Sequence, residues 1–349
     1  MSCLHEFWGL EFSPAQIAQC RTQGGLLSME LELSRACNLR CLYCYADSGQ
    51  ALQDELSRDE LFSVIDQAAT LGARKIIVIG GGEPLLSPHL FPVLEFIRGL
   101  GLDADLFTNA TLLDRAKAER LHALRVSVSM KMNSLDPAVQ DELAGRAGTH
   151  AAIMRGLDHL LAAGYPDDER VLGIESIICR QNYDEIPALW RWARDRRIVP
   201  YIEVMTMQGR ALEHQNLEVS REGLKQLFDA LAEIDAREYG NHWTPHPPLA
   251  ASHCARHEYS CTVTALGEVN PCPGVNIPVG NIRFASLRDI LQTSPVIRDL
   301  RNIRQTIKGR CADCEFNALC YGCRGHAYQT TGDHLAEDPS CWLKPRNGR

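Results

Sequence analysis

Between residues 29 and 205, short apolar strands alternate with amphipathic helices, and that alternation restricts the segment to parallel α/β architectures. Met29-Glu30-Leu31-Glu32-Leu33 alternates as a first strand, and Lys75-Ile76-Ile77-Val78-Ile79 is a buried second strand ended by three glycines. Ala104 to Phe107, Arg125 to Ser129, Val171 to Ile178 and Pro200 to Met205 supply four more strands. Helices are expected between them. The first starts after Ser57, whose hydroxyl forms a capping box with Glu60, and ends near Gly72. Others are expected over 86–99, 113–124, most of 137–163 and 184–194. Right-handed crossovers wind such units into a curved sheet. Six units make a partial (β/α)6 TIM-like barrel, with its site at the carboxyl ends of the strands.

The texture defines four segments: an N-terminal extension over 1–28, the partial barrel over 29–215, a helical bridge and linker over 216–250, and a small cysteine-rich domain over 251–349. The bridge carries one clear helix, Arg221 to Arg237, followed by the proline-rich linker His242 to Pro248. The last segment has few long apolar periods, so it needs metal to fold.

The chain has 349 residues, 45% hydrophobic and 23% charged, enough for a large core. Its net charge of −8 gives no basic field for nucleic acid. The run Arg191 to Arg197 reads as a solvated helix face. No membrane span is expected, because no 18 apolar residues are contiguous. Met1 to Trp8 lacks the basic start and apolar run of a signal peptide, so a cytoplasmic location is expected. Fourteen cysteines in a reducing compartment point to metal rather than disulfides. Three lie at 37–44 and eight at 254–341, while Cys3, Cys20 and Cys179 stand apart.

Cys37, Cys41 and Cys44, spaced CxxxCxxC, can hold three corners of a cubane iron–sulfur cluster and leave one iron open. An open position on a metal is where chemistry happens. Gly80-Gly81-Gly82-Glu83-Pro84 follows the second strand, where glycines let the backbone approach a ligand. With Tyr43 before the third cysteine, these two elements resemble the radical SAM enzymes. The resemblance implies that S-adenosylmethionine chelates the open iron and that the glycine loop meets its amino group. It also implies cofactor contacts from Tyr43, from Asn109 in Thr108-Asn109-Ala110-Thr111 (the family's TNG segment, with Ala110 in place of glycine), and from Ser127 and Ser129. Where the family has Leu-Asp-Gly, this chain has Met130-Lys131-Met132-Asn133-Ser134. Lys131 could pair with a carboxylate or phosphate, or lie on the surface. Glu175 and Glu203 lie on the fifth and sixth strands. Either could face inward, to bind a ribose hydroxyl or act as a base, or face outward. Cys179, at the end of the fifth strand, is a hydrogen-atom donor in an epimerase or else a small buried hydrophobe, the second being the commoner case.

Cys254, Cys261, Gly267 and Cys272, then Cys311-x2-Cys314-x5-Cys320-x2-Cys323 and Cys341, resemble the SPASM domain, a twin-cluster extension of radical SAM enzymes. Two residues, not the family's three, separate Cys320 from Cys323. By resemblance, Cys254, Cys261, Cys272 and Cys323 hold one auxiliary cluster, and Cys311, Cys314, Cys320 and Cys341 the other. Paired zinc sites are the competing reading.

The resemblance therefore implies three 4Fe–4S clusters, S-adenosylmethionine, and a reducing partner such as flavodoxin or ferredoxin. It also implies reductive cleavage to a 5′-deoxyadenosyl radical that takes a hydrogen atom from substrate. Oxidation or crosslinking of a peptide or protein side chain is the expected outcome. A sugar or aminocyclitol dehydrogenase or epimerase is the alternative. A non-enzymatic iron–sulfur carrier or zinc-stapled module is the alternative of another class.

Overall fold

The computed structural model describes residues 8–343; Cys3, and the ends of the first and last segments, lie outside the described residues. Six parallel strands form in sequence order: β1 (Ser28–Glu32), β2 (Lys75–Ile79), β3 (Asp103–Thr108), β4 (Val126–Lys131), β5 (Leu172–Ile178) and β6 (Val199–Val204). Each pairs with its predecessor, which gives the partial barrel. Helices α1 (Pro14–Gln23), α2 (Arg58–Thr70), α3 (Leu90–Gly99), α4 (Arg115–Ala123), α5 (Pro137–Ala144), α6 (Thr149–Ala163), α7 (Ile186–Asp195) and α8 (Arg221–Ile234) precede, connect and follow them. The sheet does not stop at the barrel. A short strand β7 (Thr262–Val263) pairs parallel to β1, then β8 (Glu268–Asn270) and β9 (Gly280–Asn281) extend it antiparallel. Helices α9 (Leu287–Thr293), α10 (Pro295–Arg301), α11 (Ile303–Thr306) and α12 (Arg324–Thr331) complete the C-terminal part.

Strand alternation sorts the side chains. Met29, Leu31, Ile76, Val78, Ala104, Leu106, Val126 and Val128 join the apolar core under the helices. Glu30, Ile79, Phe107, Lys131, Glu175 and Glu203 point the other way and line the barrel interior. The capping box at Ser57 and Glu60 forms as the sequence suggests.

Three helices differ from the expected spans, each for a local reason. Helix α3 starts at Leu90 rather than 86, because Ser87 precedes Pro88 and is held extended, at φ −76° and ψ 127°. The 137–163 segment breaks at Gly145 and Gly148, which take φ +66° and +80°. The 221–237 helix widens into a π turn over Asp235–Tyr239. There the buried Asp235 accepts from Trp190 Nε1 at 2.7 Å, Trp243 Nε1 at 3.0 Å and the Arg194 guanidinium.

Residues 8–13 close the amino-terminal end of the barrel. The buried Trp8 indole stacks edge-on against Phe107, and its ring occupies the space where a side chain at Gly173 would sit. Lys75 pairs with Glu11 at 2.6 Å and Asp105 at 3.2 Å in the same layer.

Candidate active site

The loop after β1 carries Cys37, Cys41 and Cys44, and three neighbours shape it. Cys37 N donates to Gly49 O, while Arg40 N and Leu42 N donate to the carbonyls of Ala144 and Leu143 at the end of α5. Arg210, buried and far along the chain, donates to Cys41 O at 2.9 Å, Ser48 O at 2.8 Å and Asp47 at 2.8 Å. Its own backbone N–H donates to Cys44 O. The glycine loop then presses on the cysteine loop. Glu83 N donates to Ala36 O at 2.7 Å, and a Cβ at Gly82 would lie 2.1 Å from that same oxygen.

Glu83 faces inward but is already tied. Its carboxylate accepts from Thr108 Oγ1 at 2.6 Å, Asn109 N at 2.7 Å and Leu85 N at 3.0 Å. It clamps the loop after β2 to the loop after β3. Asn109 reaches Asn38 on the cysteine loop at 2.9 Å. Ala110 takes φ +62°, the left-handed conformation for which a glycine would carry no strain.

One chamber opens above the barrel. On one side it is walled by the three cysteines, Tyr43, Gly80, Gly82, Glu83 and Asn109, and deeper in by Lys131, Glu175 and Glu203. On the other side stand Cys254, Cys272 and Cys323 with Arg256, His257 and Arg324. Lys131 is within 3.1 Å of Glu175 and lies over the Tyr43 ring at 5.0 Å. Burial, reinforced by the Glu175 carboxylate, pushes Glu203 well above the usual carboxylate range. Burial likewise raises the Cys37 thiol, and that of Cys41 to about 12, which bound iron reverses by taking the thiolate.

Several expected site residues sit elsewhere. Ser127 and Ser129 lie on the inward face of β4, paired with Asp105 and Phe107, and neither lines the chamber. Gly81 packs on Glu32, and the buried Pro84 starts a turn that follows the loop. Cys179 is fully buried among Tyr43, Leu143, Met205 and Leu217, with its backbone N–H on Asn182; burial pushes its thiol to about 12. It does not line the chamber. Cys311, Cys314, Cys320 and Cys341 gather in a second group, where Cys320 senses Cys341 and Cys311, and Cys311 senses Cys314. Cys261 joins neither set. Sequence reasoning missed Arg210, Arg256, His257 and Arg324. A basic residue directly after Cys323 was the one available signal.

Among the described residues, no three His, Cys, Asp or Glu side chains close around a single metal ion. A four-iron cubane spaces its thiolates more widely, and the cysteine triad on its glycine-backed loop fits that larger group. Residues 31–193 match the radical SAM superfamily profile, and residues 254–315 match the SPASM profile, an iron–sulfur cluster-binding domain. The chain is a radical SAM enzyme with a C-terminal SPASM domain. It therefore takes S-adenosylmethionine and 4Fe–4S clusters, as the two matched domains do.

Similarity to its relatives extends over most of their lengths. The AdoMet-dependent heme synthase of Methanosarcina barkeri is 29% identical over 346 residues, 90% of this chain and 95% of that one. The PqqA peptide cyclase of Streptomyces rochei is 29% identical over 343 residues, covering 92% and 91%. The Streptococcus suis SuiB structure bound to S-adenosylmethionine shares the fold, with a TM-score of 0.72 at 17% identity over 93% of this chain and 80% of that one. No helix among the described residues is long and apolar enough to cross a membrane.

Proposed function

We propose that this radical SAM enzyme takes a hydrogen atom from a substrate seated between the cysteine triad and the auxiliary cysteines, and that the substrate is a tetrapyrrole bearing carboxylate side chains. The observation that carries this reading is the full-length similarity to heme synthases, together with similarity to an Fe-coproporphyrin III synthase at 26% identity over 352 residues. The shared chamber supports it, because it gives one substrate access to both cysteine sets.

When bound at the triad, the reduced cluster and S-adenosylmethionine supply a 5′-deoxyadenosyl radical, the oxidant for an unactivated C–H bond. The chain supplies position and dryness. Cys37, Cys41 and Cys44 hold the cluster, and the backbone at Gly80 and Gly82 allows close approach by the methionine end of the ligand. Ile79, Phe107, Ile177 and Met205 exclude water from the chamber wall. Lys131 and Glu175 neutralise each other, so neither presents an uncompensated charge. Glu203, hydrogen-bonded to Glu175, joins that pair at the chamber wall. Hydrogen-atom loss removes one electron; Cys254, Cys272 and Cys323 would hold a cluster able to accept a second, and that two-electron oxidation would make the chain an oxidoreductase.

A peptide substrate is the second reading. It is favoured by the PqqA peptide cyclases, 27% to 29% identical over more than nine-tenths of this chain. The two separate in one experiment. The reconstituted enzyme, with reductant and S-adenosylmethionine, is offered iron coproporphyrin III or a PqqA-type peptide. The tetrapyrrole reading expects a shifted porphyrin absorption band on binding, and 5′-deoxyadenosine above the substrate-free level. Stimulation by the peptide alone, with no band shift, refutes it.

A further inference from the structure

We propose that the first auxiliary cluster is held by only three thiolates, Cys254, Cys272 and Cys323, and that its fourth iron is open to the chamber and takes an exchangeable donor atom from there. The proposal rests on the cluster assignment of the SPASM segment and not on the identity of the substrate.

Glu30 on β1 is paired with Thr262 on β7, and Thr262 Oγ1 donates to Glu30 Oε2 at 2.6 Å. Both side chains therefore face the barrel interior. Successive side chains of a strand point to opposite faces, so Cys261 faces outward. It is 1% exposed within the main apolar core. Its charged neighbours are Arg301 and Glu30, and Arg301 in turn senses Cys20. Glu30 N donates to Cys261 O at 2.9 Å, which fixes this register. Swinging the thiol into the chamber would break the pairing of β1 with β7.

The other three cysteines behave as one set. Cys254, Cys272 and Cys323 all line the chamber, Cys272 senses Cys323 and Cys254, and Cys323 senses Cys254. The second group already has its four thiols. Among the described residues no cysteine is left to close the first cluster, so its fourth iron would take a donor from the chamber that the three thiols line. Two buried atoms with free lone pairs and no hydrogen-bond partner border that space, the Nε2 of His257 and the Oε1 of Gln208.

The test uses full-length protein with the radical SAM triad replaced (Cys37→Ala, Cys41→Ala, Cys44→Ala), so that only auxiliary irons remain. Anaerobic loading gives about eight irons per chain. Adding Cys261→Ala or the space-filling Cys261→Val leaves about eight, whereas Cys254→Ala leaves about four. 13C-labelled cyanide couples to the reduced cluster signal in the triad-free protein with Cys261 intact, a readout that needs no change in the core. Loss of about four irons in both Cys261 variants, with circular dichroism unchanged, overturns the proposal. So does absence of 13C coupling, or an imidazole nitrogen coupling that disappears in His257→Phe.

Discussion

Gly82→Ala tests how the radical SAM site is built, because the glycine loop and the cysteine loop touch backbone to backbone at this residue. A methyl group there would sit 2.1 Å from Ala36 O and 2.7 Å from the carbonyl carbons of Ala36 and Arg35. All three atoms are backbone, so no side chain can rotate away. Reaching ordinary contact requires a retreat of about 1 Å. Cys37 follows Ala36 directly, so the first thiolate moves with it. Overpacking of this kind costs about 1–3 kcal/mol, which a domain of this size survives. A misplacement of about 1 Å at a reacting centre costs on the order of 10²-fold in rate. Gly82→Ala should therefore fold, yet form 5′-deoxyadenosine about 10²-fold more slowly than the parent. Gly99→Ala is the control, since nothing lies within 4 Å of its added methyl. Gly82→Ala protein with parental iron content and parental turnover would refute the reasoning.

Other consequences follow from the same geometry. Glu203 is raised above the ordinary carboxylate range by burial and then by Glu175, so the folded protein keeps a proton that the unfolded chain releases. Stability of the metal-free protein should fall as pH rises from that ordinary range towards the raised value, by at most about 1.4 kcal/mol per pH unit. Glu203→Gln should flatten this fall in urea titrations at several pH values, and an unchanged slope contradicts the assignment. Arg210→Leu strands the carbonyls of Cys41 and Ser48; it should cost about 2–4 kcal/mol in denaturant melts and lower iron retention at the triad. Cys179→Ala should cost about 1–2 kcal/mol as a small core cavity while leaving turnover and product stereochemistry intact. Altered stereochemistry would instead make Cys179 a hydrogen donor.

The barrel was legible because its signals are local. Each strand from β1 to β6 announces itself by an apolar run and a following turn, and the cysteine spacing and triple glycine lie at strand ends. Helix boundaries failed where one neighbour outweighed periodicity, as at Ser87 before Pro88. The rest depends on contacts between distant segments. Nothing around Trp8 signals that it floors a barrel beside Phe107 and Gly173. Nothing around Arg210 shows that it staples a loop some 165 residues earlier. Alternation could not say which way Glu175 and Glu203 face; the register of β5 on β4 and of β6 on β5 turns both inward with Lys131. Cys261 looked like its neighbours in spacing, and only the register of β7 on β1 shows that its side chain turns away.

The central claim is that the triad holds a cluster with one iron free for S-adenosylmethionine beside the glycine loop. Electron paramagnetic resonance of the reduced, anaerobically loaded enzyme, with and without S-adenosylmethionine, tests it most directly. The account predicts that the sulfonium ligand shifts the signal of one cluster, and that the shift vanishes when Cys37, Cys41 and Cys44 are replaced. A spectrum unchanged by the ligand in fully loaded protein would contradict it.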